Sequence, residues 1–233
     1  MKRMSKRITY FCLILFTFTQ SAIYGQNILF EHITTSDGLS QSTVNTIIQD
    51  KRGFMWFGTN DGLDKFDGYK IERFSHEKNA PGSLNKNTIL TLYEDKEGMM
   101  WIGTYGGGIN RFNYTLQKFT QFEHDPENPN SLSNNQVFEI FEDSEEIFWI
   151  GTEHGVDLFD REKKSFRNID NQLNIPFGKA ETITEDRLGD IWIASGNGIF
   201  RFSRLQEKFT RYPLFGSSED KFTGNFAWDV YVD

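Results

Sequence analysis

Four carboxylates stand at a fixed distance from four indoles. Asp50 lies six residues before Trp56, Asp95 before Trp101, Asp143 before Trp149 and Asp186 before Trp192. Carboxylates in pairs could do the acid and base work of glycoside hydrolysis, and indole faces could carry sugar rings. His32, His76 and His124 suggest a metal site, and Tyr105-Gly106-Gly107-Gly108 suggests a phosphate cradle. The regularity that draws attention to these residues also argues against each chemistry. Residues repeated at equal spacing fall in separate structural units, where packing explains an indole and turn-backbone bonding explains an aspartate. The three histidines share one repeat position, two after an aromatic residue, so they are not expected to converge; no metal and no cofactor are expected. The glycine run opens no helix, which disfavours phosphate. It departs from the repeat and is the best single candidate for a specialised contact.

The elements that position these residues follow from the repeat. The Trp-to-Trp steps are 45, 48 and 43 residues, and Gly58-Thr59, Gly103-Thr104 and Gly151-Thr152 follow the indoles, relaxed to Ala194-Ser195 in the last copy. Before each Asp runs an apolar segment with Val44, Ile89, Val137 or Ala180 at its start and Ile47, Leu92, Ile140 or Ile183 three before the Asp. Apolar residues on both alternation faces predict strands covered on both sides. Asp50-Lys51-Arg52-Gly53, Asp95-Lys96-Glu97-Gly98 and Asp186-Arg187-Leu188-Gly189 predict tight turns with glycine at positive φ; Glu146 stands where the third copy needs that glycine, and a different turn is expected there. A third strand carries Phe66, Phe112, Phe159 or Phe202, and a fourth carries Phe74, Phe122, Phe166 or Tyr212. Four short strands per 43–48 residues are the arithmetic of an all-β, four-stranded propeller blade. The chain therefore predicts a partial β-propeller over residues 26–233, with four complete blades and the first strand of a fifth at residues 226–233. Residues 27–36 are expected to form an outer strand available to close the ring, and the chain is expected to continue past Asp233.

Residues 1–25 read as a signal peptide: Lys2, Arg3, Lys6 and Arg7 precede an apolar run from Ile8 to Phe18 and then small and polar residues to Gly25. That run is short of the ~20 residues a membrane span needs. Cys12, the single cysteine, lies inside it, so the mature domain is held by burial alone. Losing the four basic residues moves the formal charge from −8 to −12. An acidic exported domain without a basic cluster is not expected to contact nucleic acid.

The pattern Asp-x-x-Gly-x-x-Trp-[Ile/Phe]-Gly-Thr followed by Gly-[Leu/Ile/Val]-x-x-Phe resembles the two-component regulator propeller repeat, and Gly38-Leu39-Ser40 followed by Val44 looks like the start of that family's sensor regions. The resemblance covers nearly all of residues 27–233; Glu146, Ala194 and Ser195 depart from it. It implies a periplasmic sensor region of a Bacteroidetes hybrid two-component system. The parent architecture it implies has paired seven-bladed propellers, a β-sandwich, a membrane helix, a histidine kinase, a receiver and a DNA-binding helix-turn-helix. The implied partners are an oligosaccharide ligand, further blades and sensor domains of the parent chain, and a second copy in a homodimer.

Propeller ligands usually meet the face built from the loops after the second and fourth strands. On that geometry Asn60, Asp61, Tyr105, Glu153, His154 and Asn197 are the ligand-binding candidates, with Trp56, Trp101, Trp149, Trp192, Gly58, Gly103 and Gly151 structural. No catalytic residue is assigned. The expected role is sensing a glycan-derived signal; a secreted propeller lyase or glycosidase and an interaction scaffold are the rival readings. No kinase or phosphoacceptor chemistry is expected of this chain alone.

Overall fold

The computed structural model describes residues 30–212 and 226–232. The leader expected at 1–25, with Cys12, lies outside the described residues, as does Asp233. Residues 30–32 fall outside the unit formed by residues 33–233 and carry no regular structure.

Among the described residues, those of 33–233 hold sixteen strands in four antiparallel sheets, each made of four strands consecutive in sequence. The first blade holds β1 (Val44–Gln49), β2 (Met55–Thr59), β3 (Gly62–Phe66) and β4 (Ile71–Phe74). The second holds β5 (Ile89–Glu94), β6 (Met100–Thr104), β7 (Ile109–Asn113) and β8 (Lys118–Phe122). β9 (Val137–Glu142), β10 (Phe148–Thr152), β11 (Gly155–Asp160) and β12 (Ser165–Asn168) make the third. β13 (Ala180–Glu185), β14 (Ile191–Ser195), β15 (Gly198–Ser203) and β16 (Lys208–Tyr212) make the fourth. β1, β5, β9 and β13 pack against one another in chain order, so the first strand of each blade is the inner one, as the repeat requires.

Three apolar clusters fill the gaps between successive blades. In the first, Trp56 and Leu63 of blade one meet Ile102, Phe112 and Phe119 of blade two; in the second, Trp101 meets Phe148 and Phe159; in the third, Trp149 meets Ile183, Ile193 and Phe200. Trp56, Trp101 and Trp149 are buried, so the repeated indole is a packing residue. Large aromatic side chains suit this position because each buries much apolar area. β1 alternates between half-buried and exposed residues, because only one of its faces has a neighbouring blade among the described residues.

Several expectations are corrected. The Asp143 turn has the same form as its relatives: Glu146 adopts φ 67°, and its amide donates to the Asp143 carbonyl at 3.0 Å as Gly53 does to Asp50 at 2.8 Å. The aspartate carboxylate bonds so many turn amides that the turn tolerates an unfavourable residue. Residues 30–34 form no strand, and Thr35–Asp37 is a 3-10 turn capped by Thr34. Residues 226–232 carry no strand, although they lie against blade four, where the Ala227 amide donates to Ser195 at 2.9 Å and Thr182 Oγ1 donates to the Trp228 carbonyl at 3.1 Å. The fourth-strand equivalent of Phe74, Phe122 and Tyr212 is Ile169 rather than Phe166: Phe74 faces Leu63, Phe122 faces Ile109 and Tyr212 faces Ile199, whereas Phe166 faces Phe159. Ile169 opens a helix, α1 (Ile169–Leu173), capped by Asn168. The indole stacking seen for Trp56 on Phe74, Trp101 on Phe122 and Trp192 on Tyr212 therefore has no aromatic partner at that position in blade three.

Candidate ligand-binding face

Each blade presents two ends. At one, the aspartate turn joins the first and second strands. Asp50 Oδ2 accepts from Trp56 Nε1 at 2.9 Å, Asp95 from Trp101 at 2.8 Å, Asp143 from Trp149 at 2.7 Å and Asp186 from Trp192 at 2.8 Å. The other carboxylate oxygen accepts turn amides, including Phe54 on Asp50 and Met99 on Asp95. Backbone bonding by these aspartates agrees with the sequence expectation. The indole bond went unread, although the constant spacing of six was its signal.

A second repeat position completes this end. Two residues after the third-strand aromatic stand Tyr114, Arg161 and Arg204, and each reaches back one blade. Tyr114 Oη donates to Asp50 at 3.1 Å, Arg161 Nη1 to Asp95 at 3.4 Å and Arg204 Nη2 to Asp143 at 2.7 Å. Asp50, Asp95 and Asp143 are thus each committed to an indole, to turn backbone and to a donor from the next blade.

The opposite end holds the six sequence candidates. Thr59, Thr104, Thr152 and Ser195 close the loops there by donating Oγ to the carbonyl that opens the third strand, so the relaxed Ser195 keeps the bond of the threonines. Beside them Asn60 accepts from Asn45 at 2.8 Å, and its carbonyl accepts from Thr88 of the next blade. Asp61 is held by Arg73 at 2.7 Å and Asn87 at 3.2 Å. The Tyr105 amide donates to Thr88 at 2.9 Å and leaves the ring half exposed. The Glu153 amide donates to Gln136, and His154 Nδ1 faces Asn134 Nδ2 at 3.3 Å. Asn197 Nδ2 donates to Pro176 and its carbonyl accepts from Arg211. The structure thus strings these residues along the blade junctions, one or two to a blade, and does not gather them into one pocket. His154 alone lines a cavity of about 430 Å³, with His124, Asp125 and Asn171.

The glycine run makes its specialised contact with the protein itself. The Gly106 and Gly108 amides both donate to the Asn135 carbonyl, at 2.9 and 2.8 Å, and Gly107 accepts from Asn85 Nδ2. A Cβ at Gly107 would meet the Asn85 side chain at 2.5 Å, which is why this loop needs glycine. His76 and His124 are equally committed: each Nδ1 donates to a leucine carbonyl, Leu84 at 2.8 Å and Leu132 at 2.6 Å. Their amides donate to Asn87 and Asn135. The repeated histidine is a latch on the connection between blades.

Desolvation holds three carboxyls above the usual range, Asp157 among them. Desolvation pushes Glu139, on β9, up to about 8, with the Asp229 charge adding to the effect. It also lifts Asp170 to about 6, against bonds from the Val156 and Phe177 amides.

Residues 38–61, 83–106 and 131–154 match the two component regulator propeller family. Each match runs from the connection before an inner strand to the loop after the second strand. Over 82 residues the chain is 40% identical to histidine kinase P4 of Formosa agariphila, a stretch that is 34% of this chain and 6% of that protein. Among solved structures, the extracellular domain of a protein described as a hybrid two component system, BT3049 of B. thetaiotaomicron, superposes with a TM-score of 0.72 at 28% identity. It covers 78% of this chain, which spans 26% of that domain. A virginiamycin B lyase from Staphylococcus aureus superposes with a TM-score of 0.56 at 15% identity, over 73% of this chain and 55% of the lyase, a likeness of fold alone.

Proposed function

From the premise that this chain belongs to the two-component regulator propeller family, we propose that it is the sensing propeller of a hybrid two-component sensor. It works in the periplasm after export and reports glycan-derived oligosaccharides to a histidine kinase elsewhere in the parent protein. One observation carries this reading: the four-blade unit superposes on the extracellular domain of a hybrid two-component system, and part of the chain is similar to a histidine kinase. The chain spans small fractions of both, so the kinase and the remaining sensor domains belong to the proposal. Support for binding over catalysis comes from the repeated aspartates, which are all bonded to an indole and turn amides and, for Asp50, Asp95 and Asp143, to a donor of the next blade.

Titration calorimetry of the purified protein against neutral and acidic oligosaccharides tests the reading, followed by chromatography of the mixtures for cleavage. Binding without turnover is expected. Cleavage would favour a propeller lyase or glycosidase. A folded protein that binds no saccharide would leave an interaction scaffold.

A further inference from the structure

All four inner strands carry a β-bulge at the same repeat position. The pairing skips one residue between Val44 and Thr46, between Ile89 and Thr91, between Val137 and Glu139, and between Ala180 and Thr182. The bulged residues are Asn45, Leu90, Phe138 and Glu181. Counting five back from Asp233, as each stands five before its own Asp, the fifth is Trp228. Bulges re-aim side chains and recur beside functional sites. Here the backbone device is constant while the residue it presents is different in every blade. The flanking positions, by contrast, are held to a type: small or aliphatic before the bulge and mostly threonine after it. A scaffold that repeats everything except the residue at one bulge presents variety there, on the strands that lie innermost.

Two neighbouring bulge residues, Phe138 and Glu181, and Trp228, at the same repeat position in a segment that forms no strand, come together around one lysine. Lys179 Nζ lies 3.9 Å from the Phe138 ring centre and 5.5 Å from that of Trp228, and 2.6 Å from Glu181 Oε1. Trp228 is 72% exposed and is braced edge-on by Phe226 at 4.7 Å. Glu181 Oε1 is buried and has Lys179 as its charge partner, but no aligned hydrogen bond. An exposed, braced aromatic face beside a carboxylate with unfilled bonding capacity suits a sugar ring, which offers C–H bonds on its face and hydroxyl donors at its edge. Glu181 and Asp229, the residue after Trp228, set two carboxylates against the one lysine, so an anionic ligand is disfavoured.

We propose that the bulge-position residues at the blade three to blade four junction form a recognition surface for a neutral saccharide, with Trp228 as the stacking platform and Glu181, poised by Lys179, as the hydroxyl acceptor. This deepens the glycan-sensing reading and rests on it for the ligand class.

Cellohexaose, mannohexaose and trigalacturonic acid, each titrated calorimetrically into the protein and its variants, test the proposal. Trp228→Ala and Glu181→Gln are each expected to weaken binding of a neutral hexasaccharide by about tenfold or more. Tyr69→Ala, at a ring 97% exposed in the loop after β3, is expected to leave it unchanged. Binding that survives both variants but is lost in Tyr105→Ala overturns this surface while leaving the glycan reading intact. Preference for trigalacturonic acid overturns the assigned class. A protein with an unchanged melting profile that binds none of the three overturns both.

Discussion

Asp143 Oδ2 holds the Trp149 indole nitrogen at 2.7 Å and the Arg204 guanidinium of the next blade, also at 2.7 Å. One buried oxygen thereby fixes a core side chain within its blade and ties two blades together. Its other oxygen accepts the Glu145 and Ile147 amides. Removing this carboxylate strands the buried Trp149 indole N–H and two turn amides, although Arg204 keeps Glu145 at 2.8 Å and Glu185 at 3.4 Å. Asp143→Ala is therefore expected to destabilise the fold by about 3 kcal/mol, read as a lower urea midpoint.

The four indoles differ in cover. Trp101 is 1% exposed, whereas Trp192 is only half-buried, because no following blade among the described residues packs over it. Trp101→Ala should cost about 3–5 kcal/mol, and Trp192→Ala roughly half as much for the smaller area lost. Denaturant unfolding of the two variants checks the order.

Glu146 holds a left-handed conformation that the other turns give to glycine. An L side chain there costs about 1–2 kcal/mol. Its contact with Lys96, at 3.5 Å between exposed side chains, contributes little. Glu146→Gly should stabilise the protein by about 1 kcal/mol, raising the melting temperature by roughly 2–4 °C.

Glu139 gives the protein a pH dependence of defined sign. Its carboxyl is pushed from 4.5 up to about 8 by desolvation, with Asp229 nearby. Below pH 4.5 both folded and unfolded chains hold the proton. Between 4.5 and about 8 the unfolded chain releases it and the folded one keeps it, so stability from this group falls as pH rises through that window. Glu139→Gln should flatten the melting temperature against pH across that interval, the difference from the parent growing toward pH 8.

The fold was legible because its signals are local and repeated four times. The Asp-to-Trp spacing, the turn glycines and the third-strand aromatics each recur with the blade. What escaped depends on contacts between blades or on a single departure. Nothing in the period shows that Arg204 reaches Asp143, since the partners are 61 residues apart. Asn168 ends the fourth strand of blade three and caps a helix, a departure that occurs once and so leaves no periodic signal. The candidate loop residues lie at the end of each blade opposite the aspartate turns. Convergence is a property of the assembled arc, and there Asp61 and Asn197 prove to be tied to their own surroundings.

The glycine after each indole gives the sharpest contrast between neighbouring repeats. A Cβ at Gly103 would lie 2.5 Å from Thr91 Cγ2 and 2.9 Å from Val137 Cγ1, and one at Gly58 would lie 2.7 Å from Ile89 Cγ2. In both cases a methyl would enter the space of the first inner-strand residue of the next blade. Ala194 occupies the same repeat position, fully buried, and the residue at the corresponding start is Ala227, whose amide donates to Ser195. A small residue at that start is not enough by itself, since a Cβ at Gly151 would lie 2.7 Å from the carbonyl of Ala180, which starts the blade after it. Gly103→Ala should therefore overpack the junction and cost about 1–3 kcal/mol. Ala194→Gly should cost no more than about 1 kcal/mol, mainly through added freedom of the unfolded chain. Chemical denaturation of the two single variants checks this. Equal losses would mean that the approach of the next blade does not set the residue at this position.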